Sequence, residues 1–247
     1  MEVLIYGLWT AALAATGSFI GVCFARIPAG EQVIRGTSHC DNCGRKLRAY
    51  ELIPIISYLL LGGRCRTCKE KIPPFCLILE LTTIVAGIIP LCLFGLTLQG
   101  FAVSVAACVL LEIAVVDYKT MEISDAANLL IGGIGILLMC VHGTYLSSII
   151  GLFAVSLPFL VLALLKLMGM GDVKLMAAAG IFLGFPNVLC AAFFGIVLGS
   201  LCAIIQRITN RKEWKSEIAF GPYLCIGIYI AMLFGERILS LYLSLIQ

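Results

Sequence analysis

The sequence predicts an all-α polytopic membrane protein of about eight transmembrane helices with a small cytosolic zinc-knuckle-like loop domain, and three observations predict it. Of 247 residues, 61% are hydrophobic and 13% charged, and the mean hydropathy is +1.08, well above that of soluble globular domains. Apolar stretches recur at lengths suited to a bilayer core of about 30 Å. Two Cys-x-x-Cys pairs share the one long polar loop. The apolar share excludes disorder, and a formal charge of only +3 gives a nucleic-acid partner no electrostatic support.

The first span, residues 3–25, is uncharged and preceded by Glu2 with no basic residue. It lacks the basic start, short apolar core and small-residue cleavage site of a secretory signal, so it reads as a retained helix. Further spans are expected at residues 75–98, 101–116, 126–141, 145–165, 175–185, 188–205 and 218–234, the last with an amphipathic extension to the C-terminus. The sixth is the shortest, stopping at Pro186-Asn187. This divides the chain into a first helix (1–25), a cytosolic loop (26–74) and a seven-helix core (75–247). No internal repeat is evident, and no feature specifies an oligomeric state.

Basic residues test the count, because they collect in cytosolic loops. Sixteen of the 17 Lys and Arg fall in the first, third, fifth and seventh loops, nine of them in the first. The intervening segments Gln99-Gly100, His142 to Thr144 and Pro186-Asn187 carry none. Eight spans with both termini outside satisfy this pattern, whereas merging the sixth and seventh would place Arg207 to Lys215 outside.

Eight of the 12 cysteines lie in or beside apolar spans and read as small buried hydrophobes. The other four form Cys40-Asp41-Asn42-Cys43 and Cys65-Arg66-Thr67-Cys68, spacing suited to two knuckles that place four thiolates around structural zinc. A redox pair or free thiols are the alternatives, persistent disulfides being disfavoured in the cytosol. His39 is a neighbour or a substitute ligand.

Ionisable groups at apolar spans are costly and are functional candidates. Asp117 ends the third span at its cytosolic end, and Asp172, in Gly169-Met170-Gly171-Asp172-Val173-Lys174, opens the sixth at the same side. The topology puts both at one membrane depth. Paired carboxylates share a proton, so one can activate water while its partner protonates a substrate carbonyl, the chemistry of aspartic proteases. Gly169 and Gly171 would permit close substrate approach and an unwound helix start. The alternative is that Asp172 caps a helix while Asp117 pairs with Lys119 or Lys174. Glu80 and Glu112, inside the second and third spans, either tune the pair, bind a basic substrate group or join helices by hydrogen bonds. Glu122 and Asp125 read as cap residues, Asp125 for the fourth span.

These residues resemble the type IV prepilin peptidases, membrane aspartyl proteases. Gly17-Ser18-Phe19-Ile20 with Arg26-Ile27-Pro28, Ser38 to Cys43, Glu51-Leu52-Ile53-Pro54-Ile55-Ile56-Ser57-Tyr58, Gly63 to Cys68, Glu80-Leu81 and Phe220-Gly221-Pro222-Tyr223 are similar to the family's motifs. Asp117 in DYKTMEI and Asp172 in GMGDVK resemble its two aspartate elements. Ser124 stands where the family usually has proline, which should loosen the start of the fourth span; Gly21 replaces an asparagine, and Pro73-Pro74-Phe75-Cys76 replaces an Arg-Tyr-Pro stretch.

The resemblance implies a catalytic dyad of Asp117 and Asp172 in a bacterial inner membrane, with the active site at the cytosolic face. It implies cleavage of prepilin or pseudopilin precursors after a glycine that ends a basic leader, then N-methylation of the new terminus with S-adenosylmethionine. Glu80, Glu112 and Glu122 are candidates to attract that leader, and Lys174 to meet a substrate glutamate. A non-enzymatic scaffold of a pilus, secretion or DNA-uptake machine is the alternative reading; a channel using Glu80 and Glu112 is another. Neither accounts for two carboxylates at one depth beside paired glycines.

Overall fold

The computed structural model describes residues 1–30, 32–33, 38–40, 42–210 and 219–246. Among them the regular structure is helical: α1 (Glu2–Arg26), a 3-10 helix (Ala49–Leu52), α2 (Ile56–Leu60), α3 (Pro74–Phe94), α4 (Leu98–Thr120), α5 (Asp125–His142), α6 (Tyr145–Leu164), α7 (Met170–Leu183), α8 (Asn187–Asn210) and α9 (Gly221–Ile246). Seven of the nine α-helices among the described residues, all but α2 and α7, are long and apolar enough to cross a bilayer. The chain is a multi-pass membrane protein.

The sixth predicted span is α7. Its 14 residues give a rise of about 21 Å at 1.5 Å per residue, short of a bilayer core. It is an inner helix, with Leu175, Met176 and Ala179 wholly buried, and it still runs back to the level where α6 starts, Phe185 N–H donating to Ser147 O at 3.0 Å, so that with α7 the chain crosses eight times. It begins at Met170, five residues before the predicted start, with Gly169 as N-cap. Gly171 and Asp172 therefore lie in a regular first turn, which corrects the expected unwound start.

Two other boundaries shift. The break between α3 and α4 falls at Gly95–Thr97 rather than Gln99-Gly100, because Gly95 takes φ +69° and the Thr97 hydroxyl accepts the Gly100 N–H at 3.1 Å. Ser124, not Asp125, is the N-cap of α5. Residue 218, the expected start of the last span, and the basic residues 211, 212 and 215 lie outside the described residues.

Helices approach where side chains are smallest, the usual driving geometry in lipid. A Cβ on Gly17 of α1 would stand 2.7 Å from the Glu80 Cα of α3, and Gly151 of α6 lies directly against Gly180 of α7. The C-terminal ends of α1 and α4 and the start of α3 are level. Lys119 Nζ donates to the Phe24 carbonyl at 3.2 Å and lies 4.4 Å from the Phe24 ring, which itself packs 4.5 Å from Phe75. Cationic Lys119 thereby caps the negative end of α1.

Candidate active site and metal centre

The left-handed Met121 (φ +55°) ends α4 just beyond Asp117, and the chain re-enters α5 within a few residues. That turn brings Ile123 and Asp125 against the start of α7: a Cβ on Gly171 would sit 3.0 Å from Ile123 Cβ, and Lys174 Nζ bonds Asp125 Oδ1 at 2.7 Å. An open cavity of about 380 Å³ results. Asp117, Asp172, Gly169, Gly171, Lys174 and Glu122 are among its lining residues.

Asp117 is 4% exposed and Asp172 7% exposed, yet both face this cavity and lie close enough to interact electrostatically. Two backbone N–H groups orient them. Gly221, the first residue of α9, donates to Asp117 Oδ2 at 3.1 Å. Gly169, the N-cap of α7, donates to Asp172 at the third helical position, the backbone half of a capping box. Asp172 thus does cap its helix, and that role and a place at the cavity coexist. The alternative partners of Asp117 are engaged elsewhere, Lys119 with Phe24 and Lys174 with Asp125. The exposed Lys174–Asp125 pair contributes little stability.

Gly221 is the residue that motif reading left without a role. A side chain there would put its Cβ 2.6 Å from Asp117 Oδ2, so only glycine admits both the hydrogen bond and the carboxylate. Its sequence signals are the Phe220-Gly221-Pro222-Tyr223 motif and a Gly-Pro step opening an apolar run, neither of which says what the glycine does.

Glu80 and Glu112 do not line the cavity. Glu80, 7% exposed, accepts the Ile55 N–H at 2.7 Å and so ties the 26–74 segment to α3. Glu112 lies near Cys23 of α1, on a different face of α4 from Asp117.

The four cysteines do converge. One sulfur from each of Cys40, Cys43, Cys65 and Cys68 lies within 4.8 Å of every other, and Cys40 Sγ is 3.7 Å from Cys68 Sγ. Tetrahedral bonds of about 2.3 Å separate sulfurs by about 3.8 Å, so the cluster has the dimensions of a four-thiolate metal site. Each pair sits in the same knuckle. Cys40 N–H donates to Arg45 O and Gly44 N–H to Cys40 O; Cys65 N–H donates to Glu70 O and Lys69 N–H to Cys65 O. Leu47 N–H to Ser38 O is matched by Ile72 N–H to Gly63 O. The segment is therefore an internal repeat, which the sequence concealed because little more than the cysteines and a lysine is kept. The tight turn needs a left-handed residue, met by Gly44 (φ +65°) and, at a cost, by Lys69 (φ +60°). Asp41 lies outside the described residues.

N–H groups of Cys68 and Thr67 pull the Cys65 thiol down to about 6, favouring the thiolate that binds metal. Glu51 fastens the first knuckle, accepting Arg45 Nη2 and the Arg48 N–H, each at 2.8 Å. The Arg45 hydrogen bond, then that of Arg48, holds the Glu51 carboxyl below its ordinary range.

Comparison with known proteins agrees with this architecture. The bacterial peptidase A24 N-terminal domain matches residues 12–94 and the type IV leader peptidase family residues 104–204. A prepilin leader peptidase/N-methyltransferase of Bacillus subtilis is 32% identical over 239 residues, covering 93% of this chain and 94% of the relative. One from Pseudomonas aeruginosa is 32% identical over 218 residues, covering 84% and 74%. No solved structure matches the chain. With two buried carboxylates at one cavity, paired knuckles and relatives of this identity over nearly the whole length, the chain belongs to the type IV leader peptidase family.

Proposed function

We propose that this protein is an endopeptidase that removes the basic leader of type IV prepilin or pseudopilin precursors, with Asp117 and Asp172 as its catalytic dyad. The observation that carries the reading is two carboxylates from helices 55 residues apart, both more than nine-tenths buried yet facing one cavity. In such a pair one carboxylate takes a proton from water as the water attacks the scissile carbonyl, and the other donates a proton to the developing oxyanion. The pair titrates as a unit. Gly221 and Gly169 fix the two carboxyl groups through backbone hydrogen bonds that need no side-chain rearrangement.

A substrate with a basic leader in water and an apolar helix in lipid presents its scissile bond at the interface. Glu122 on the cavity rim would attract the leader, Asp125 being paired with Lys174. This reading orients the cavity toward the cytosol of a bacterial inner membrane and both termini outside, in keeping with the basic loops.

Cys40, Cys43, Cys65 and Cys68 would hold zinc in a closed four-thiolate site, where the metal supplies folding energy rather than reactivity. The relatives are named as N-methyltransferases as well. We extend methylation of the new N-terminus by S-adenosylmethionine to this chain on that resemblance. Among the described residues there is no strand, so the donor would not occupy a strand-to-helix glycine loop.

The test is cleavage of a prepilin-like substrate by the protein in liposomes, comparing wild type with Asp117→Asn and Asp172→Asn, each checked for helix content and thermal midpoint. Loss of cleavage in both folded variants is expected. Undiminished cleavage in either would remove the dyad, and no cleavage even by wild type would favour a different substrate or the scaffold reading.

A further inference from the structure

The 26–74 segment holds a stretch that water does not suit. Residues 52–63, LIPIISYLLLGG, carry no charge, although Glu51 and Arg64 flank them directly. They fold as a short hairpin: α2, then a turn in which Gly63 N–H returns to Tyr58 O at 2.9 Å. Ile56, Leu59 and Leu60 are 55%, 66% and 82% exposed.

Its depth follows from Glu80. The level of Phe24, Phe75 and Lys119 marks an aromatic and cationic boundary of the kind found at a membrane surface. Glu80 lies five residues beyond Phe75 along α3, about 7.5 Å deeper at 1.5 Å per residue. Gly17, which packs on the Glu80 backbone, is seven residues before Phe24, about 10 Å deeper by the same rise. The carboxylate at that depth accepts the Ile55 N–H at 2.7 Å. Even with the Glu80 side chain leaning toward the start of α3, Ile55 sits on the lipid side of the boundary.

We propose that residues 52–61 re-enter the bilayer, and that Ile56, Leu59 and Leu60 contact lipid acyl chains. Non-helical backbone is tolerated at such depth only when its polar groups are satisfied within the protein. Here Ile55, with its strained φ of +61°, is served by Glu80, while Ser57, Leu59 and Leu61 donate to carbonyls of the hairpin itself. Glu80 is then the cap of a re-entrant hairpin, and the knuckles stand on an anchored base rather than a free loop. An apolar run of this length is a re-entrant or interfacial candidate on general grounds, being too short to span.

Full-length Leu60→Trp protein, reconstituted in phosphatidylcholine vesicles with or without bromine on the acyl chains, tests this, with wild-type emission subtracted. Brominated lipid should quench the added emission by about half or more, and aqueous iodide should leave it unchanged. Lys69→Trp in the second knuckle should behave oppositely. Ile56→Trp is the second probe should Leu60→Trp fail to fold. Glu80→Gln, which keeps an acceptor for the Ile55 N–H, should retain the quenching and Glu80→Leu should lose it. Iodide quenching at Leu60→Trp would overturn the proposal. So would protection from both quenchers, which would mean that protein, a second copy or a polypeptide substrate, covers the hairpin. Unchanged lipid quenching in Glu80→Leu would overturn the assignment of Glu80 as its cap.

Discussion

At the scale of single residues, the two carboxylates of the proposed dyad are each held by a glycine that supplies backbone rather than side chain. Gly221→Ala places a methyl 2.6 Å from Asp117 Oδ2, closer than any real contact, so the start of α9 or the carboxylate must move. Cleavage is expected to fall by at least about tenfold, the cost of misplacing one reacting group by a fraction of an ångström. Circular dichroism should show the helices intact, and a kinetic assay on a prepilin-like peptide checks it. Glu51 offers a pH prediction of known sign. Its carboxyl is held below its ordinary range, chiefly by Arg45, so its stabilising effect is present above the unfolded value near 4.3 and is lost as pH falls through the folded value. Amide exchange over residues 42–51 should therefore quicken below about pH 4 in wild type, and Glu51→Gln should show the quickened rate already at neutral pH.

At the scale of elements, the start of α5 tests how the missing proline is tolerated. Ser124 has φ −63°, the value a proline ring imposes, and sits at the N-cap where no intrahelical donor is needed. Serine thus already holds the conformation that proline would impose, and its cost is entropy in the unfolded chain. Ser124→Pro should raise stability by about 0.4–1 kcal/mol, read as a higher thermal midpoint in detergent, with cleavage preserved. The α6–α7 contact behaves oppositely. Gly180 meets the Gly151 carbonyl directly, so Gly180→Val forces these helices apart and displaces the element that carries Asp172. A loss of at least about 2 kcal/mol is expected, together with loss of cleavage.

For the whole molecule, two stabilising principles occupy different parts of the chain. The membrane core is held by close helix contacts, while the knuckle segment is too small to build an apolar core and, with the proposed zinc bound, would draw its order from the metal. Chelation should release about one metal per chain and raise amide exchange over residues 42–72 while leaving helix content unchanged. A fall in helix content on chelation would mean that the knuckles brace the core.

The sequence alone determined the class of fold, the positions of most spans, the two Cys-x-x-Cys knuckles and the candidate aspartates. These are local properties: hydropathy over about 20 residues sets a span, and spacing within a motif sets a turn. Its misreadings were local as well, at Gly95, Ser124 and Met170, where one residue's backbone geometry or capping decided the boundary. Only the tertiary structure decided which polar groups meet. The Gly221 N–H reaches Asp117 across 104 residues, and Glu80 reaches Ile55 rather than the dyad cavity. A helix periodicity says which face a carboxylate occupies but not which neighbour covers that face. That choice follows from where glycines let backbones close together.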